Sequence, residues 1–373
     1  MRILMLGCKE YPYGISSKFE KFPGGGTAKY VINLAEGLAK KGHEIHLIVR
    51  QFPGQRKYEK INTLHIHRVS YINNKYLRNP SFSRNSKKLA KKLVNKIKFD
   101  VIHTHGLFGT YAGIKLKTKT PIISTLHGVA STQVSHNYNK LITAVIKKLQ
   151  KRAYSKPRKL LFLSKAEQED FVNQTKIRLT KENSTIIYPS VKDEKTKRKK
   201  TKDFNVVFIG RLVPMKGLNK LIKSFKLLKK QNIKYIIVGN GFEQKKLEKL
   251  TKKLNLGKNI TFTGYTNNIK KYLEITSLFI LPSEGGEGLP AALLEAMSTG
   301  IPCMLSNFEA PIDKKAVILL KDNKPETIAK EIDNLTKKQL ENLGKRAKEE
   351  YKKKFSIESF VKNHIKIYKE VMK

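Results

Sequence analysis

Short runs of β-type residues alternate with segments of helical period along this chain, break off at a charged stretch, and begin again. In the first half, Arg2-Ile3-Leu4-Met5-Leu6 reads as a strand and the loop Pro23-Gly24-Gly25-Gly26 follows. From Thr27 the apolar residues Tyr30, Val31, Leu34 and Leu38 fall three and four apart, the spacing of one helix face. Gly42 stops that helix and Glu44 to Val49 forms the next strand. Further strands are expected at 101–103, 122–125, 160–163 and 186–188. After the break, strands are expected at 206–209, 235–238, 260–262, 278–281 and 302–305. Helices fall at 218–228, at 242–254, from near Pro290, and over the basic C-terminal stretch that starts at Pro325. Strands and helices taking turns imply parallel sheets covered on both faces, because each crossover must return to the same edge. The 373 residues exceed one ordinary core and suit two α/β domains. Residues 191–203 are almost all charged or threonine and read as a linker between a domain at 1–190 and one at 204–355. No short repeat period occurs, which excludes a solenoid.

Charge restricts the partners. Lysine and arginine number 76 against 30 acids, a formal net charge of +46. A surplus of that size attracts polyanions, whether nucleic acid, anionic lipid or phosphorylated substrate. General lysine enrichment would give the same number, and the count alone leaves that open. Tryptophan is absent and no stripe of basic and aromatic residues stands out, so a specific nucleic-acid partner is not expected. Residues 60 to 160 hold 22 of the cations and one acid, Asp100. Within them Leu141, Ile142, Val145, Ile146 and Leu149 lie on one helical face and Lys140, Lys147, Lys148, Lys151 and Arg152 on another. Such a helix suits an anionic membrane surface, or a sheet with its basic face in solvent. No apolar run reaches the roughly 18 residues of a membrane span. Met1 to Gly7 meets Lys9 and Glu10 at once, unlike a signal peptide. The two cysteines, Cys8 and Cys303, lie far apart in no metal-ligand spacing, which suits a reducing cytoplasm. The expected location is therefore cytoplasmic, with docking at the inner face of the cell membrane as its extension.

Two segments carry chemistry. Pro282-Ser283-Glu284-Gly285-Gly286-Glu287-Gly288-Leu289-Pro290 runs from a strand through a glycine-rich loop into a helix containing Glu295. Free amides at a helix start attract anions, and the ligand crevice of a parallel α/β domain lies at that edge. Carboxylates there would repel phosphate, so they call for another partner, such as sugar hydroxyls. The second segment, Gly210-Arg211-Leu212-Val213-Pro214-Met215-Lys216-Gly217, follows a strand directly. An arginine fork and a lysine at the mouth of a sheet suit a diphosphate. They would stabilise the charge that builds on it as it departs. No Asp-x-Asp pair occurs, so a metal bridge to the diphosphate is not suggested; neither a metal nor a cofactor is expected.

Glu287 and Glu295, with seven residues between them and the wording Glu-Gly-Leu-Pro and Leu-Leu-Glu-Ala-Met, resemble the two-glutamate motif of the retaining glycosyltransferases of family 4. Arg211 and Lys216 match that family's Gly-Arg-Leu and Lys-Gly segment, and the likeness extends over nearly the whole chain. The resemblance implies a GT-B fold, two Rossmann-like domains with parallel sheets facing across a cleft. Domain 1–190 would take the acceptor and 204–355 the nucleotide-sugar donor, while residues 356–373 would pack back on the first domain. It implies transfer of a hexose-type sugar, with retention, to an acceptor hydroxyl on a glycan or a lipid-linked precursor. Glu287 would contact the transferred sugar and Glu295 the ribose, with Gly288 and Leu289 between them at the donor. Gly239 and Gly241 resemble the family's Val-Gly-x-Gly turn, and Gly264-Tyr265 its segment near the base; tight turns alone would also explain both. Gly25 and Gly26 match the N-terminal glycine loop beside the donor phosphates, although Ala28 stands where the family often has glutamate. His127 matches a histidine that reaches the transferred sugar. In Asp100-Val101-Ile102-His103-Thr104-His105, His103 is expected inside the strand and His105 toward the acceptor. Two readings remain beside this one: a nucleotide-sugar epimerase on the same architecture, and a basic nucleic-acid-binding protein.

Overall fold

The computed structural model describes residues 1–373 apart from 12–25, 75, 136–139, 194–195, 267, 285–288 and 307–310. The chain divides into two compact units, Met1–Pro189 with Phe360–Lys373, and Ser190–Ser359.

Unit 1 is built on one eight-stranded sheet. Its strands are β1 (Arg2–Leu6), β2 (Glu44–Arg50), β3 (Tyr58–Ile61), β4 (Leu64–Val69), β5 (Val101–His105), β6 (Ile122–Thr125), β7 (Lys159–Phe162) and β8 (Ser184–Ile186). Their order is β3-β4-β2-β1-β5-β6-β7-β8, parallel except for β3, which pairs antiparallel with β4. The helices are α1 (Gly26–Lys40), α2 (Arg78–Lys96), α3 (Gly106–Ile114), α4 (Ala130–Ser135), α5 (Lys140–Tyr154) and α6 (Lys165–Thr175). The central strands are apolar on both faces, as β1 shows with Ile3 to Leu6 all buried, because helices cover both sides. The β3–β4 pair had no counterpart in the sequence reading. Its strands alternate exposure, and three of β4's six residues are histidine or arginine, which hides the apolar period.

Unit 2 repeats the plan with six parallel strands: β9 (Phe204–Ile209), β10 (Ile233–Val238), β11 (Ile260–Gly264), β12 (Leu278–Leu281), β13 (Cys303–Ser306) and β14 (Ile318–Leu320). The order β11-β10-β9-β12-β13-β14 is the doubly wound arrangement, whose winding reverses between β9 and β12. Around it lie α7 (Leu218–Ser224), α8 (Gln244–Lys253), α9 (Lys270–Leu273), α10 (Ala291–Ser298), α11 (Pro325–Asn334) and α12 (Lys337–Glu350). The helix expected over 218–228 tightens into a 3-10 turn at Phe225–Leu227. The charged stretch read as a linker is part of this unit. Arg198 Nη2 donates to Thr276 O at 2.8 Å and Lys199 N to Glu274 O at 2.8 Å, so its backbone lies against α9 and the turn after it. A π-type turn, Tyr351–Phe355, precedes the last helix, α13 (Ile357–Met372). From Phe360 onward α13 belongs to unit 1, where His364 and Tyr368 are fully buried. No helix among the described residues is long and apolar enough to cross a membrane.

Candidate active site

In unit 2 the sheet reversal brings the loops after β9 and β12 together at the carboxyl edge, and Arg211, Lys216 and Leu289 of the expected donor residues stand on them. The loop after β9 carries Arg211, exposed, and Lys216, partly buried. Burial first, and then the neighbouring Arg211 cation, pull the Lys216 ammonium down to about 8. The strap is fixed by backbone contacts. Leu212 N donates to Asn240 O at 2.9 Å, Gly210 N to Val238 O at 3.0 Å, and Glu284 N to Met215 O at 2.8 Å. Gly239 and Gly241 permit this. A β-carbon on Gly239 would sit 1.9 Å from Gly210 O, and one on Gly241 2.1 Å from Leu212 O, both impossible contacts. These glycines therefore seat the turn after β10 directly under the cationic strap. Gly239 N donates to Gly264 O at 2.9 Å and ties the turn after β11 to the turn after β10, leaving Tyr265 exposed.

The other side of the reversal is the loop after β12. Glu284, which had no assigned role, pairs with Lys220 Nζ at 3.0 Å, and the same Nζ donates to Asn323 Oδ1 at 3.0 Å. That carboxylate therefore braces the strap. Leu289 and Pro290 are half-buried; Pro290 is an extended cap and α10 begins one residue later at Ala291. Glu295 lies partly buried on α10. Glu287 and Gly288 lie outside the described residues, as do Gly24 and Gly25. Gly26 is described and opens α1, exposed.

Unit 1 has a reversal of its own between β1 and β5. Gly7, with φ 83°, leaves β1 so close to β5 that a β-carbon would meet His105 O at 2.1 Å. A cavity of 160 Å³ opens there, lined among others by Gly7, Lys9, Thr27, His105, His127 and Gly128. His105 is buried at the end of β5, and its Nδ1 lies 3.0 Å from His127 Nε2; its own Nε2 has no hydrogen-bond partner among the described residues. His103 is buried deeper, its nitrogens 2.8 Å from Tyr368 Oη and 2.8 Å from Thr125 Oγ1. His127 adopts the left-handed backbone at φ 61°. Burial, then Lys9 and His364, bring its imidazole down to about 3. His103 and His105 are likewise held neutral, by burial first. At neutral pH the cluster is a set of uncharged hydrogen-bonding rings.

The His127 turn has a further support from α6. Glu167 on α6 accepts from Gly128 N and, at 2.6 Å, from Leu163 N. One carboxylate thus clamps the loops after β6 and β7. Burial raises the Glu167 pKa, opposed by these two backbone donors. Ser164-Lys165-Ala166-Glu167 is visible in sequence as a capping-box pattern. Ser164 Oγ does accept from Glu167 N at 3.1 Å, while the glutamate turns to the neighbouring loop.

Two family models together span nearly the whole chain: Glycosyl transferases group 1 over residues 190–354 and Glycosyltransferase Family 4 over residues 24–195. The chain belongs to the family 4 glycosyltransferases. This glycosyltransferase is 31% identical over 304 residues to a glycosyltransferase of Methanocaldococcus jannaschii, covering 74% of the chain and 76% of the relative. It is 30% identical over 253 residues to a UDP-Gal:alpha-D-GlcNAc-diphosphoundecaprenol alpha-1,3-galactosyltransferase of Escherichia coli, covering 62% of the chain and 64% of that enzyme. Among solved structures, the sucrose-phosphate synthase of Thermosynechococcus elongatus aligns over 100% of the chain and 99% of its own with a TM-score of 0.75 at 17% identity. That likeness gives the fold, GT-B. The family membership decides against the epimerase and nucleic-acid readings left beside it in the sequence.

Proposed function

We propose that this glycosyltransferase moves a hexose-type sugar from a nucleotide-diphosphate donor to a hydroxyl of a lipid-linked glycan precursor, with retention and without a metal. The observation that carries the reading is the Arg211–Lys216 strap, two cations fixed at the sheet reversal of unit 2. When the sugar's C1–O bond breaks, the electron pair goes to the diphosphate oxygen, and these cations stabilise it in place of a metal. Glu295 accepts hydrogen bonds from the ribose and Glu287 from the transferred sugar. Gly239, Gly241 and Leu289 shape the donor's surroundings in unit 2. His127 donates to a sugar hydroxyl. With a pKa of about 3 it is too weak a base to take the acceptor's proton at neutral pH. That proton leaves with the diphosphate oxygen that becomes charged in the same step, while the acceptor oxygen forms the new bond to C1.

A lipid-linked acceptor is supported by the surface of unit 1. On α5, Leu141 is 74% and Val145 60% exposed, while Ile146 and Leu149 pack on the core. Ile72, Tyr76 and Leu77 are also exposed before α2, beside a 690 Å³ groove lined by Arg84, Lys87, Lys88, Lys91 and Lys92. Apolar tips among cations suit the interface of an anionic bilayer, each cation near the surface adding roughly 1 kcal/mol. The Escherichia coli relative's named acceptor is a diphosphoundecaprenol lipid.

The test is transfer of labelled sugar from UDP-, GDP- and ADP-sugars to a GlcNAc-diphosphoundecaprenol acceptor in vesicles with and without anionic lipid, with EDTA in a parallel set. We expect an α-linked product from one donor, sedimentation with anionic vesicles at low salt, loss of that binding when Lys147, Lys148, Lys151 and Arg152 become glutamate, and full turnover in EDTA. Transfer only to soluble acceptors, with the protein left in the supernatant, would remove the membrane from the reading. A requirement for added magnesium or manganese would overturn the metal-free step.

A further inference from the structure

At the opposite, amino edge of the unit 1 sheet, three side chains converge on a point unused by sugar transfer. Strands β2 and β4 are parallel and their register sets His46 beside His65. Because strand side chains repeat every second residue, Glu44 shares a face with His46. One ligand atom from each of Glu44, His46 and His65 lies within 4.8 Å of the others. Glu44 Oε1 is 3.0 Å from His46 Nε2, and the two imidazole rings stack with centroids 4.3 Å apart and planes 5° from parallel.

Each of the three is also held by its other polar atom. His46 Nδ1 lies 3.1 Å from His67 Nε2, His65 Nδ1 lies 2.8 Å from Tyr58 Oη, and Arg2 Nε reaches Glu44 Oε2 at 3.3 Å. This leaves His46 Nε2, His65 Nε2 and Glu44 Oε1 as the convergent set. Metal-binding histidines characteristically have their second nitrogen fixed in this way, which sets tautomer and ring direction. Three isolated surface residues would not each come with an outer partner.

We propose that Glu44, His46 and His65 form a binding site for a divalent first-row ion, zinc first. Two imidazoles and one carboxylate suit that class of metal, and the half-exposed Glu44 leaves room for a water as fourth ligand. Ligand atoms in a tetrahedral zinc site stand roughly 3.3 Å apart, so side-chain rotations on the order of 1 Å complete it. The ion staples the β3–β4 pair to β2 and therefore to the rest of the sheet. Glu44 opens β2 and His65 is the second residue of β4, whereas the His127 cavity lies past the other end of the strands. The staple thus acts on stability, not on the transferred sugar.

The test titrates zinc chloride into the full-length, tag-free, chelator-stripped protein by calorimetry, with cobalt absorption as a second readout. Wild type should bind one ion tightly and show the intense visible bands of tetrahedral cobalt, and zinc should raise its Tm. His65→Ala should lose the site. Glu44→Gln, a partly exposed change that keeps the shape, should weaken zinc at least tenfold while the metal-free Tm stays close to wild type. Equal zinc binding by wild type and His65→Ala, or none by wild type, would overturn the proposal. Sugar transfer at 25 °C should be the same with and without zinc, which keeps this outcome separate from that of the transfer reaction.

Discussion

The two sheet reversals solve opposite problems. In unit 2 the loops at the reversal present charge: Arg211 and Lys216 stand on a strap whose backbone is fixed by Asn240, Val238 and Glu284. In unit 1 the reversal presents rings with no charge, since burial holds His103, His105 and His127 neutral. Charge at a sheet edge is stabilised in part by solvent, and unit 2 leaves Arg211 exposed. A neutral polar cluster can be buried if its hydrogen bonds are met internally, and unit 1 meets most of them with Tyr368, Thr125 and the His105–His127 contact. Under the proposed function, electrostatic work would fall to one reversal and hydrogen-bond selection to the other.

The division breaks most readily at the strap. Arg211→Ala or Lys216→Ala should lower turnover on the order of a hundredfold or more, as loss of a fixed charge at a developing oxyanion does elsewhere, with circular dichroism unchanged. Near-normal turnover in both variants would move the charge-stabilising role out of unit 2.

A pH profile sharpens the comparison. With its pKa at about 8, Lys216 loses its charge as pH rises past that value, so kcat/KM should fall above pH 8, approaching tenfold per unit. Lys216→Arg should abolish this limb, because arginine stays protonated. The histidines act in the other direction and on stability. Their folded pKa values lie below the ordinary value, so unfolding takes up protons as pH drops through about 6.5, and Tm should decline on the acid side.

The smallest effect is expected at the clamp. Glu167→Gln puts an amide where a carboxylate accepts two backbone N–H groups, and should cost about 1–3 kcal/mol by leaving one of them unmet. Because the clamp orients the His127 turn, kcat should fall severalfold while donor affinity is retained. An unchanged Tm would show that the turn holds itself.

Much of this was legible in the chain before the fold. The alternation of strands and helices, the cationic segment and the turn glycines rest on local patterns, and β9, β10 and β12 lie where those patterns put them. What stayed hidden depends on register. His105 and His127 are 22 residues apart and meet only because β5 and β6 pair with His105 opposite Thr125. Glu44 and His46 meet His65 only through the pairing of β2 with β4, because His65 is 19 residues from His46 in the chain. Gly7 gave no signal, because a lone glycine after a strand does not reveal that another backbone passes 2.1 Å from its missing β-carbon. Glu167 was readable as a cap but not as a clamp, since the loop it holds is 39 residues away.

The exposed start of α5 has a consequence for reach. Gln150 Oε1 accepts from Ser131 N in the segment after β6, which fixes the helix to unit 1 at that level. Leu141 lies nine residues earlier, roughly 13 Å along the axis at the α-helical rise. If those apolar side chains sit among lipid headgroups, with Lys147, Lys148, Lys151 and Arg152 along the same surface, the helix lies along the bilayer and sets the height of the His127 cavity above it. An acceptor whose hydroxyl stands at that height is within range, and one carried farther out by added sugars is not. Acceptor length would then be selected by a stretch of backbone that never touches the sugar.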